Sequence, residues 1–452
     1  TETYNEAARA WQLVMAEMDS ALAGSGGNNS GKARSAALSA FYGAQQRFYN
    51  TLLTAMQMPS ILADMKAQLG KGNSILLQIV NTNEATLGRA LASKATEENL
   101  DLENLDLSPK DALLQYVDNS FPTTKWEPVA DADGNVRWEP VRDAQGNLVD
   151  DPAAVEAKLK LLDKLALLKM PSNPLEMVTD IFGAENVAEV TGRGKRIVNK
   201  VQKDGTTKRV LETNRGVAQR RVEADEFQEG KRRILVFSDA GGTGFSYHAS
   251  RKAKNQQRRI HYLVQAGWRA DQAVQGMGRS HRTDQASAPF YVLASTDIRG
   301  HQRFISTIAR RLAELGALTG GERKAAERGL FTEENNLEND YAEDAVFKLF
   351  VDLRNGQVDG LDFQDVSRML GYVKTTIDPE TGELKTTNTL IGEGGTLNVD
   401  KVPSIQQFLN RVLVLEVAEQ NHVFDAFMDR MRKRIANAKA DGSYDPGTQT
   451  LK

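Results

Sequence analysis

Two short stretches concentrate residue types able to grip a phosphate. QGMGRSHR (275–282) places Gln275, Arg279 and Arg282 at positions i, i+4 and i+7. On a helix that spacing forms one stripe. Two fixed guanidinium groups suit phosphate oxygens better than two ammonium groups, because each planar fork presents paired donors. The glycines of the stretch let a partner approach closely, and Asp271, in RADQAVQGMGRSHR (269–282), is the predicted N-cap of the helix. A pair of structural salt bridges would use the same two arginines. The second stretch, SDAGGTGFS (238–246), follows the apolar run RILVF directly. Gly241, Gly242 and Gly244 open backbone conformations barred to other residues, while Asp239, Thr243 and Ser246 bring hydrogen-bonding groups. Glycines at the carboxyl end of a parallel strand stand where open α/β sheets bind ligands. An ordinary glycine-rich βα turn would look the same.

Two other stretches imitate phosphate chemistry without its context. GGNNSGKA (26–33) satisfies GxxxxGK through Lys32. A phosphate-cradling loop needs a buried strand before it and a hydroxyl after the lysine to meet magnesium. Here a helical pattern precedes the loop and Ala33 follows Lys32. ADEFQ (224–228) resembles an acidic magnesium box but follows polar QRRVE, so it reads as a helix face. The sequence therefore shows no phosphate cradle of its own to face its arginines. An independent ATPase built on Lys32 would lose ATP binding on Lys32→Ala; the expectation is that there is none to lose.

The elements that must position these residues follow from periodicity. Residues 1–70 repeat apolar positions every three or four residues, predicting helices on either side of a flexible AGSGGNNSGKA loop. Short apolar runs at 73–82, 186–192, 233–239, 259–265 and 290–295 predict strands separated by helical patterns, the signature of a parallel α/β sheet. The long interval between the first two strands exceeds what a crossover needs. Its tandem WEPVADADGNV (126–136) and WEPVRDAQGNL (138–148) predicts a β-hairpin or short meander as a local decoration. A second hairpin is predicted over 373–389 and a long amphipathic helix over 404–442. The expected organisation is a helical segment 1–70, an α/β lobe 71–325 with an insertion at about 97–180, and a mainly helical region 326–452.

At 452 residues, with 40% apolar and 26% charged residues, the chain has ample material for a soluble globular core. It has no run of membrane-spanning length and no signal-peptide pattern. No Cys and only five His exclude disulfides, Cys-ligated zinc and thiol nucleophiles, and fit a reducing, intracellular setting; no metal-ligating set is expected. The net charge of −3 conceals a basic centre. Residues 193–233 hold 13 Lys/Arg against 6 Asp/Glu, and 251–282 hold 8 against Asp271 alone. Such a centre fits a polyanion surface or, equally, solvated helix faces. Starting at Thr1 rather than Met, the chain is expected to be processed or part of something longer.

The order strand, SDAGGTG, strand, QGMGRSHR, strand resembles the second RecA-like lobe of superfamily 2 helicases and translocases, with SDAGGTG similar to motif V and QGMGRSHR to the QxxGRxxR of motif VI. The resemblance is strongest to the Strawberry notch family, through KMPSNPLEMVTDIFGAENVAEVTGR (169–193), residues 248–295, HQRFISTIARRLAELGALTGGERKA (301–325) and the C-terminal segment. It implies a RecA-like lobe of an ATP-dependent machine on nucleic acid, whose missing first lobe would carry the phosphate loop and the acidic box. Arg279 and Arg282 would be arginine fingers on the γ-phosphate, with Gln275 orienting them or the attacking water. Asp239, Gly241, Gly242, Thr243, Gly244 and Gly278 would line the nucleotide side, and the motif V residues would couple it to the bound strand. Arg251, Lys252, Lys254, Arg258, Arg259, Ser246 and His281 would meet the nucleic-acid backbone, DNA or RNA. ATP and Mg2+ would bind only with a first lobe, upstream or in trans. The alternative is a catalytically inactive remnant lobe, structural or DNA-binding, carried by a virus or mobile element.

Overall fold

The structure, a computed structural model, describes residues 1–80, 82, 84–93, 108–131, 133–213, 215–238, 244–265, 270–306, 336–378 and 380–445. In chain order its elements are α1 (Glu2–Gly24), α2 (Gly31–Gly70), β1 (Ser74–Gln78), α3 (Glu84–Ser93), α4 (Lys110–Ser120), β2 (Trp126–Ala130), β3 (Val136–Pro140), α5 (Pro152–Ala166) and α6 (Pro174–Phe182). There follow β4 (Val187–Val190), β5 (Arg196–Val201), β6 (Thr207–Glu212), α7 (Val217–Glu229), β7 (Ile234–Phe237), β8 (Arg259–Leu263), α8 (Ala270–Met277) and β9 (Phe290–Leu293). The C-terminal part adds α9 (Asp340–Arg354), α10 (Phe363–Met369), β10 (Val373–Ile377), β11 (Leu384–Asn388), α11 (Ile405–Arg411) and α12 (Val417–Ala440).

All five strands anticipated from apolar runs join one parallel sheet in the order β4-β7-β1-β8-β9. The fold is α/β, as expected. The central strands are buried on both faces, which is why they read as continuous apolar runs. Ile75 and Leu77 point to one face with Met58, Ile61, Leu62 and Met65 of α2 and Leu175 and Val178 of α6. Leu76 points to the other, with Ala224 and Phe227 of α7 and Tyr247. Side chains alternate across a strand, so both helical layers are held by one short segment.

A second core is helical and unites the two ends of the chain. Tyr4, Trp11 and Val14 of α1, Phe41 and Phe48 of α2, Leu349 and Phe350 of α9, and Phe424 and Phe427 of α12 share one cluster. The buried Tyr4 hydroxyl donates to the Leu413 carbonyl at 2.8 Å and accepts from Gln420 Nε2 at 2.8 Å. The 40 residues of α2, roughly 60 Å at the usual rise, run from this body onto the sheet. Residues 1–70 thus serve both cores.

The insertion also contributes to the core around its tandem. Its helices α4 and α5 bury Leu113, Tyr116, Val117, Leu161 and Leu165 in the helical core. The WEPV tandem forms an antiparallel hairpin, extended into a meander by bridges Thr124↔Asp150 and Arg142↔Leu148. Its two turns are copies of one another: Asp131 Oδ1 accepts from the amides of Asp133 and Asn135, and Asp143 Oδ1 from those of Gln145 and Asn147.

Two expectations need correction, and one hairpin was not anticipated. The Gly/Ser/Asn segment 23–33 is no flexible loop. A single 3-10 turn at Gly27–Asn29 is pinned where Asn28 donates to the Thr375 carbonyl and Asn29 to that of Ile377, and Trp138 lies against Gly26, whose φ is +81°. Helix α1 precedes it and Lys32 is exposed, so it has no phosphate-loop architecture. The helix of 404–442 is broken by a turn at Val412–Val414 into α11 and α12. The antiparallel pair β5–β6, turning at Asp204-Gly205, appears within the basic stretch.

Candidate functional site

The carboxyl ends of β1, β7 and β8 bring the two candidate stretches together. Helix α8 starts at Ala270, ahead of Asp271, and stops at Met277. Glycines at 276 and 278 weaken helix propagation, and the chain tightens: the Arg279 amide donates to the Gly276 carbonyl at 3.0 Å and that of Ser280 to Met277 at 3.2 Å. Gln275, Arg279 and Arg282 therefore do not form the single helical stripe that their spacing predicts. Gln275 is exposed on the helix, Arg279 sits in the turn after it, and Gly278, His281 and Arg282 are exposed beyond. Gly276 is buried where a Cβ would run into the Gln78 side-chain amide at the end of β1. Close approach to the protein's own core, rather than to a ligand, accounts for that glycine.

After the turn, the chain bonds back to 247–251, the segment leaving the glycine-rich stretch, with one antiparallel bridge at Ser250↔Gln285. Tyr247 N–H donates to the Arg279 carbonyl at 2.8 Å, Arg251 N–H to that of Asp284 at 3.1 Å, and Ala286 N–H to that of Ala249 at 2.7 Å. The two motifs are thus tied backbone to backbone. Asp284 adopts φ +63°, a left-handed conformation tolerated by Asp. The Arg279 guanidinium carbon lies 5.7 Å from the Phe237 ring centroid, and its Nη1 is buried with no hydrogen-bond partner among the described residues. A buried guanidinium nitrogen left unpaired is costly, and an incoming anion would relieve that cost. Beneath the turn, Tyr247 and His261 are buried; burial raises the Tyr247 phenol above its ordinary range and pushes His261 down to about 3. Burial, followed by Arg259 and Arg282, also lowers His248.

Asp239, Gly241, Gly242 and Thr243 lie outside the described residues. Gly244, at φ +86°, and Ser246, whose carbonyl accepts from Gln228 Nε2 at 2.9 Å, continue the loop toward Tyr247.

The basic centre divides sharply between surface and interior. Arg251, Lys252, Lys254 and Arg258 are exposed. Arg259 is 0% exposed, and its placement on a nucleic-acid surface is a misreading of the sequence. Its guanidinium lies 4.8 Å from the Phe227 ring centroid and donates to the carbonyls of Tyr247, Gln257 and Asn255 and to the Gln228 side chain. It staples the segment 247–257 to β8. Within 193–233, Arg193, Arg196 and Arg215 are buried in an ion-pair network with Glu176, Glu189, Glu212 and Glu223. Burial would raise the Glu189 carboxyl, but Arg193, with help from Arg215 and Arg196, holds it far below the usual carboxylate range. Burial raises Glu176 despite Arg193. Lys195, Lys200, Lys203, Lys208 and Arg221 remain exposed. The signal for the buried network is Glu189 itself, an acid inside the apolar strand VAEV.

Among the described residues no cluster of His, Asp or Glu is placed to hold a metal ion, and no helix is long and apolar enough to cross a membrane. A family model described as the C-terminal domain on Strawberry notch homologue matches residues 173–450. The chain belongs to the Strawberry notch family. It is 37% identical over 314 residues to strawberry notch homolog 1 of Gallus gallus, covering 66% of this chain and 24% of that protein. It is 34% identical over 320 residues to strawberry notch of Drosophila melanogaster (66% and 18%) and 31% over 324 residues to FORGETTER 1 of Arabidopsis thaliana (66% and 24%). The chain therefore spans about a quarter or less of the length of these Strawberry notch relatives. No solved structure matches it.

Proposed function

We propose that this helicase-family C-terminal lobe supplies the arginine side of an ATP site whose phosphate loop and magnesium box belong to a first RecA-like lobe, upstream or in trans. The observation that carries the reading is Arg279: a buried Nη1 without a partner among the described residues, on a turn bonded to the glycine-rich segment at the carboxyl edge of the sheet. A γ-phosphate oxygen would satisfy that nitrogen and gain a charge-assisted bond. Arg282, exposed beyond the turn, would reach the same cleft once a second lobe closes over it. In phosphoryl transfer such guanidinium groups stabilise charge developing on the transferred group and its leaving oxygen. Exposed Arg251, Lys252, Lys254 and Arg258 would follow a nucleic-acid backbone by charge, without reading sequence. ATP would bind between the lobes, with Mg2+ held by the first.

The test is dependence on both parts. Purified alone, the chain is expected to bind DNA with no effect of ATP and to hydrolyse none. Combined with a first lobe, it is expected to show ATP hydrolysis that rises on adding DNA. Hydrolysis by the chain alone would contradict the division of labour.

A further inference from the structure

The turn that carries Arg279 is anchored from beneath by a chain of buried polar groups. Ser280 is 1% exposed, and its hydroxyl lies 2.8 Å from Nδ1 of His261 in the middle of β8. That hydroxyl has acceptors for its own proton in the Met277 carbonyl at 3.0 Å and the Tyr291 oxygen at 3.3 Å. Tyr291 in turn donates to the Met277 carbonyl at 2.9 Å. The pattern assigns the imidazole proton to Nδ1, donating to Ser280, and leaves Nε2 buried without a partner among the described residues. A buried unpaired acceptor is cheaper than a buried unpaired donor, which supports the same tautomer.

The imidazole is also gripped by aromatic rings. His261 lies 5.6 Å from Phe237 and 5.4 Å from Tyr291, centroid to centroid, and Phe237 is the ring over which the Arg279 guanidinium lies. Residues on three strands therefore converge on one turn: Phe237 from β7, His261 from β8 and Tyr291 from β9. Helix α8 ends just before that turn, so nothing helical holds Arg279 in place.

We propose that His261 is a positioning residue, which through Ser280 fixes the turn that aims Arg279. The role rests on the reading of Arg279 as a phosphate-facing group. Misplacing a transition-state donor by about 1 Å costs roughly 100-fold in rate. A loosened anchor is therefore expected to lower kcat and leave the ATP KM nearly unchanged, because the first lobe provides most of the ground-state binding.

The experiment compares Ser280→Ala and His261→Leu with the conservative Ser280→Thr and His261→Asn, using the chain combined with its first lobe. The first pair is expected to lose about tenfold or more in kcat with KM held within about twofold, and the second pair to recover most of it. Hydrogen exchange on the chain by itself supplies a readout independent of ATP. Ser280→Ala is expected to speed exchange at the Tyr247 amide and over 277–281 while leaving β1 protected. Wild-type kcat in Ser280→Ala and His261→Leu, beside an inactive Arg279→Ala, would overturn the proposal and spare the arginine reading. Unchanged exchange in Ser280→Ala would overturn it equally. Full activity in Arg279→Ala would instead remove the arginine reading on which the proposal rests.

Discussion

At the scale of single residues, burial separates groups that a sequence treats alike. Arg258 and Arg259 are adjacent cations; one faces solvent and the other is sealed against Phe227. Charge counting cannot divide them, because it contains no information on which side chain turns inward where β8 begins. The spacing in QGMGRSHR draws Arg279 into one helical stripe, yet the helix ends before reaching it, since Gly276 serves the Gln78 contact and Gly278 follows at once. Gly276→Ala is accordingly expected to destabilise the chain by about 1–3 kcal/mol through overpacking against Gln78. Gly31→Ala, at the start of α2 where a Cβ would meet nothing, is expected to change stability by less than about 0.5 kcal/mol. Urea denaturation of the two variants beside the parent chain checks the contrast; equal effects would refute the packing argument.

At the scale of elements, the parallel strands were the most legible feature, because burial of the central ones on two faces demands apolar runs. The β5–β6 hairpin carries a proper Asp-Gly turn signal, but its strands mix Lys and Arg with Val, so periodicity alone does not distinguish it from a solvated face. What holds its base is the network around Glu189, linking β4 to Arg193, Arg196 and, through Glu223, to Arg215. Glu189→Gln would leave two buried arginines short of their counter-charge, at a cost of about 3–5 kcal/mol near neutral pH. The folded carboxyl titrates below its ordinary value of 4.5. Its contribution is therefore complete above that value and fades as pH falls through and beneath it. The stability gap between the parent chain and Glu189→Gln, measured by denaturation at pH 7 and then at progressively lower pH, is expected to narrow on acidification. A gap independent of pH would contradict the charge assignment.

At the scale of the whole molecule, two cores meet along α2: a helical body closed by both ends of the chain and a sheet whose carboxyl edge carries the Arg279 turn, while Arg258 and Arg259 stand at the amino end of β8. The joining of α1 to α12 was not legible, because amphipathic periodicity says that a helix has a partner without saying which one. That GGNNSGKA is no phosphate cradle was legible, since it lacks both the strand before it and the hydroxyl after it, and the structure spends its Asn28 and Asn29 on the β10 backbone. On the proposed function, that arginine-bearing edge is half of a site. The most direct measurement of that claim is DNA-stimulated ATP hydrolysis by the chain combined with its first lobe, comparing the parent with Arg279→Ala and Arg282→Ala. Each variant is expected to lower kcat by about 1,000-fold or more while DNA binding without nucleotide stays at the parent level. Full hydrolysis by both variants would contradict the account.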